Sequence, residues 1–130
     1  MKDIDNTEDI ALLVDSFYKR VLQDDVISHL FTTVVKLDWE IHIPIMNRFW
    51  NTVLLGSGTY SGQPMKVHMA LNSKSPLHEK HFERWLALWS ETVSSLFEGD
   101  RAERAKNQAK MMAHLIQQKI ELSKRPGFIQ

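Results

Sequence analysis

Six histidines and no cysteine set the chemistry open to this chain. A metal must sit on imidazole, carboxylate or thioether, and thiolate catalysis, iron–sulfur ligation and disulfides are excluded. His78 and His81 are three residues apart, a spacing that can bring two imidazoles onto one metal, yet no third ligand or acidic pattern completes a zinc site. His29 and His114 read as ordinary boundary residues of amphipathic segments. His42 shares an apolar face with Met46, Phe49 and Val53, at steps of four, three and four residues. His68 differs in context. The stretch GSGTYSGQPMKVHMAL, residues 56–71, closes a glycine-rich loop on Pro64 and delivers this one histidine on a short helix between two breaks. An imidazole presented in this way can serve as an axial metal ligand. On spacing alone, a half-exposed residue of an ordinary helix is the more frequent outcome.

The elements that must position these side chains are helical. Thr7 with Glu8 and Asp9 predicts a helix start, followed by an apolar stripe of Ile10, Leu13, Val14, Phe17 and Val21 that ends near Gln23-Asp24-Asp25. Tyr18 borders that stripe. A single turn is expected over 26–31 and a loop over 32–37, too short and unpartnered for a sheet. Asp38 can cap a helix through Leu55, with Pro44 either near its start or kinking it and making the backbone at His42 irregular. Pro64 opens the short helix, expected over 65–70, and 72–76 reads as a break. Phe82, Trp85, Trp89, Val93 and Leu96 then line one face of a long helix that Gly99 can end. Asp100 can cap a last helix with a small, flexible face of Ala105, Ala109, Met112, Ile116 and Ile120, stopped by Lys124-Arg125-Pro126-Gly127. With no convincing strand, the fold is expected to be all-α, a single domain over 1–130 with an ordered core of about 7–122.

Composition agrees with a folded globular chain: 43% apolar and 25% charged residues, with four Trp and six Phe among 130 residues. Sixteen basic and sixteen acidic residues cancel, which argues against nucleic acid or an anionic membrane as partner. The acidic N-terminus lacks the features of a targeting segment, and no stretch approaches the roughly 20 apolar residues of a membrane span. A soluble, cytoplasmic protein is expected.

Taken in order, FYKRV on the first helix, DWEIHIPIMNRFWNTVLLGSGTYSGQP through the middle, KVH at His68 and HFERWLALW on the long aromatic helix resemble a truncated haemoglobin, more narrowly group III of that family. The resemblance runs from about Ile10 to Met112. It implies a shortened, two-over-two globin fold around one haem b, with 38–55 over the iron and 76–98 behind the pocket. His68 matches the proximal haem ligand. Tyr18 matches the distal tyrosine that hydrogen-bonds a ligand on the iron, His42 the distal histidine, and Trp85 the tryptophan whose indole N–H faces that ligand. Trp50 matches the large distal aromatic and Phe31 the phenylalanine on the haem plane, while Met46 and Phe82 fall where the pocket wall is expected. Lys66, Lys80 and Arg84 lie in the part of the sequence where cations near the haem propionates are wanted.

The function implied is binding of dioxygen, nitric oxide or carbon monoxide at a five-coordinate haem iron, in NO/O2 or peroxide chemistry. With no reductase segment in the chain, turnover needs a separate electron donor, so enzymatic activity is left open. A haem-free helical module that binds a partner helix in an apolar groove is the competing reading, and a zinc protein using His78 and His81 a third.

Overall fold

Asn6 starts the first helix. Its side chain accepts the Asp9 N–H at 2.9 Å, and α1 runs Thr7–Leu22 with Glu8 and Asp9 in the first turn, so the cap lies one residue before the expected Thr7. The computed structural model describes residues 1–124 and continues with α2 (Trp39–Leu55), α3 (Pro64–Lys74), α4 (Glu79–Leu96) and α5 (Asp100–Ser123). Among the described residues there is no strand, in agreement with the all-α expectation and with a β-branched run at 32–37 too short and unpartnered for a sheet. That run is not simply a loop, however. Leu30–Val34 forms one wide turn, closed by the Val35 N–H on the Leu30 carbonyl at 3.3 Å.

Asp38 caps α2 by accepting the Glu40 N–H at 3.0 Å. Pro44 sits inside this helix, five residues from its start, yet the His42 N–H makes an ordinary helical bond to the Asp38 carbonyl at 2.8 Å. The expected irregularity at His42 is therefore absent. The physical reason is that Pro44 deprives only the Glu40 carbonyl of its donor, and both residues are exposed to water. Helix α3 extends to Lys74, beyond the expected 65–70, and the break comes at 75–78, where the Asn72 side chain accepts the Leu77 N–H at 2.9 Å.

Two layers bury the apolar stripes. Helix α1 packs on α2 and α4, while α5 packs on α4, α2 and α3. Trp89, 1% exposed, sits at the centre: it stacks on Trp50 with centroids 4.4 Å apart, meets Phe17 edge-on at 5.1 Å, and donates its indole N–H to the Ala105 carbonyl at 3.1 Å. That last bond is possible because α5 presents Ala102, Ala105, Ala109 and Ala113, all buried, and so approaches α4 closely. Enlarging one of these alanines should cost about 1–3 kcal/mol.

The N-terminus of α5 is completed from a distance. Gly99 occupies the cap position at φ +137°, and the carboxylate of Asp3 accepts the Arg101 and Ala102 N–H groups at 3.0 and 2.9 Å. Asp100, expected as the cap, is instead the first helical residue. A side chain at Gly99 would collide with Asp3, so glycine meets both the backbone angle and the space. Ile4 is fully buried beside this junction. The expected stop at Arg125, Pro126 and Gly127 lies outside the described residues.

Candidate functional site

Between the two layers lies a cavity of about 510 Å³, within the range of small-molecule and cofactor pockets. All eight residues singled out in the sequence line it: Tyr18, Phe31, His42, Met46, Trp50, His68, Phe82 and Trp85. They come from α1, the wide turn, α2, α3 and α4, so the cavity exists only once these elements are assembled.

Helix α3 presents His68 one turn after Pro64, and the register makes their atoms meet. The His68 Nδ1–H donates to the Pro64 carbonyl at 2.7 Å. That carbonyl can only accept, so the neutral ring carries its proton on Nδ1 and its lone pair on Nε2. Burial lowers the basicity of His68, opposed by the bond to Pro64, and the net shift is downward. The ring is thus held as a neutral base, the form that a metal needs.

Tyr18 and His42 supply the polar part of the cavity. The Tyr18 hydroxyl lies 2.9 Å from His42 Nε2, linking α1 to α2. Burial alone pushes the Tyr18 phenol well above its ordinary value and pulls His42 below its own, so both stay neutral and can donate. Edge-on contacts of Tyr18 with Phe17, Phe31 and Trp39, at centroid distances of 5.0, 5.9 and 5.2 Å, fix its ring. Trp85 is held against Phe17 at 6.1 Å.

Three of the other lining residues, Tyr60, Lys74 and His81, carry polar groups that the sequence did not place in the cavity. Tyr60, in the glycine loop, packs edge-on to Phe49 at 5.1 Å, and its N–H donates to the Thr52 hydroxyl at 3.1 Å, pinning the loop to α2. Its aromatic ring amid small polar residues was the available signal, since such a ring must find apolar company. Lys74 and His81 also line the cavity. Of the cations considered for propionates, Arg84 is bonded to the buried Asp24 at 2.5 Å, and Lys66 and Lys80 are not among the lining residues. Burial raises the pKa of Asp24, but bonds from Arg84 and the Val26 and Ile27 N–H groups outweigh it, so that pair is a clamp between the end of α1 and α4.

No group of three or more potential ligands that could hold a metal is present among the described residues. The zinc reading of His78 and His81 therefore lacks a site, and His81 Nδ1 is already engaged by the His78 N–H at 3.0 Å. One prepared imidazole in a largely apolar cavity fits a metal that arrives inside a large flat prosthetic group. The residues present fit a haem.

Comparisons with known proteins agree. The family model for bacterial-like globins matches residues 2–120. The chain is 31% identical to the group 3 truncated haemoglobin of Campylobacter jejuni over 115 residues, 86% of this chain and 88% of that one. It belongs to the group III truncated haemoglobins. The crystal structure of the group III protein from Campylobacter jejuni superposes with a TM-score of 0.80 at 30% identity, covering 92% of this chain and 94% of the other. A group 1 truncated haemoglobin from Synechocystis is 35% identical over 78 residues, 59% of this chain and 60% of that one. A truncated haemoglobin is a haem-binding globin, and the two-over-two arrangement of α1 and α2 with α4 and α5 is the fold of that family. No helix among the described residues is long and apolar enough to cross a membrane.

Proposed function

We propose that the protein binds haem b through His68 Nε2 and takes up a diatomic ligand, dioxygen, nitric oxide or carbon monoxide, in the space lined by Tyr18, His42 and Trp85. The observation that carries this reading is the His68 bond to Pro64, which prepares one imidazole lone pair in a cavity that also holds neutral donors. Held by His68, a haem would supply the iron that binds and polarises the diatomic ligand.

Every other part is played by the chain. Tyr18 O–H and Trp85 N–H donate toward the developing negative charge, and His42 orients the tyrosine through their shared hydrogen bond. Phe31, Met46, Trp50 and Phe82 keep water from the pocket, which strengthens those bonds. So many donors favour holding or transforming a ligand over delivering it. Nitric oxide or peroxide chemistry on this scaffold draws its electrons from a separate reductase.

The test is an absorption spectrum of the purified protein with and without added haem. A Soret band that is displaced or lost in His68→Ala, and restored by exogenous imidazole, supports the reading. No Soret band after haem addition, or one indifferent to His68→Ala, refutes it and leaves the helical interaction module.

A further inference from the structure

Three imidazoles line the cavity, and the backbone holds two of them, His68 and His81, in opposite tautomers. His68 spends its Nδ1–H on the Pro64 carbonyl and keeps a lone pair at Nε2. His81 does the reverse: its Nδ1 accepts the His78 backbone N–H at 3.0 Å, so in the neutral ring the proton lies on Nε2. Burial, followed by the charges of Lys80, His78 and His29, lowers the basicity of His81 and favours that neutral form. One ring offers a base and the other offers a donor. A donor is the wrong group for a metal and the right one for a carboxylate.

Lys74 strengthens the contrast. It is the sole Lys, Arg, Asp or Glu side chain among the lining residues, and it makes no ion pair with any described residue. It lies on the same helix as His68, six residues on, which is a rise of about 9 Å along the axis. His81, in the first turn of α4, follows the short break after α3. The chain therefore gathers its cation and its spare N–H at the α3–α4 corner, while Phe49, Trp50, Ala113 and Ile116 supply only apolar surface or an indole elsewhere in the cavity. Haem is itself two-sided, with both carboxylates on one edge and hydrocarbon substituents on the others. Burying a carboxylate against Phe49 or Ile116 would cost its hydration without return.

We propose that Lys74 Nζ and His81 Nε2–H form the site for the haem propionates, so that haem enters with its carboxylate edge at the α3–α4 corner. The site rests on the haem reading above. Lys74 supplies charge and His81 a fixed direction, and together they set which edge of the disc faces water.

The experiment compares haem with haem dimethyl ester, which has the same ring and iron but no carboxylates. Wild-type full-length apoprotein and the variants Lys74→Met, His81→Leu and the double variant are reconstituted with each, and transfer to excess apomyoglobin is followed in the Soret band. Each single change should speed haem loss about threefold and the double change about tenfold, with ester loss alike in all four proteins. Lys74→Arg should retain haem as wild type does, and 1 M salt should shrink the Lys74→Met effect. Equal acceleration for haem and ester, as general loosening of the fold would give, overturns the proposal. So does unchanged haem loss in the double variant. Failure of the haem reading looks different: neither compound then gives a His68-dependent Soret band in any of the proteins.

Discussion

Replacing Tyr18 by phenylalanine removes one oxygen and leaves the ring, so its consequences for folding and for ligand binding can be separated. The ring contacts with Phe17, Phe31 and Trp39 are edge-on and do not need the hydroxyl. What is lost from the fold is the 2.9 Å bond to His42, between neutral partners, worth about 1 kcal/mol. His42 is only partly buried and can turn to water, so the melting temperature should fall by no more than about 4 °C. What is lost from the ligand is a donor to a group carrying negative charge, worth about 1.5–3 kcal/mol. Dioxygen should therefore leave the Tyr18→Phe protein about 10- to 150-fold faster. Rapid mixing of the oxygenated ferrous protein with carbon monoxide measures that rate. If it stays within about twofold of wild type while the melting temperature falls as expected, the hydroxyl serves His42 alone and its assignment as ligand donor is wrong.

The remaining predictions concern His42, the capping junction and the core. His42→Ala should also speed dioxygen release, by less than Tyr18→Phe, because it removes the group that orients the donor; unchanged association and dissociation rates would remove His42 from the site. Burial lowers the pKa of His42, His68 and His81 relative to the ordinary 6.5, so the unfolded apoprotein binds more protons than the folded one near that pH. Stability of the apoprotein should be full above pH 6.5 and decline as pH falls toward the folded values, with a shallower decline in His42→Gln, as urea unfolding across pH would show. At the α5 junction, burial raises the pKa of Asp3, but the N–H groups of Arg101, Ile4 and Ala102 and the charge of Arg101 outweigh it; its net pKa is lowered, and its contribution is lost as pH drops below the ordinary 3.8. Asp3→Ala should cost about 1 kcal/mol at neutral pH and remove that acid dependence, while Gly99→Ala should cost about 1–3 kcal/mol. Trp89→Phe loses both the stack on Trp50 and the bond to Ala105, and about 2 kcal/mol lost in urea unfolding is expected. Free haem at about 100 times its dissociation constant should raise apoprotein stability by about 2.7 kcal/mol, visible as a higher melting temperature.

Much of this protein is determined by local pattern. The stripe of Ile10, Leu13, Val14 and Phe17 and the aromatic face of α4 repeat at helical spacing, so they declare both the element and its buried side without any knowledge of neighbours. The order of motifs around Tyr18, His42, His68 and Trp85 carried the family, and all four line one cavity. Their convergence depends on helices separated by up to 67 residues, and no short-range rule could have supplied it. Tertiary structure alone decided the rest. A side-chain cap reaching from Asp3 to Ala102 has a sequence separation of 99, which no capping pattern spans. Whether a histidine offers a lone pair or a proton depends on which backbone atom meets its Nδ1. The sequence KVH places an imidazole at position 68 and the fold makes it a base by laying it on the Pro64 carbonyl; His81, with the same side chain, becomes a donor because an N–H stands in that place.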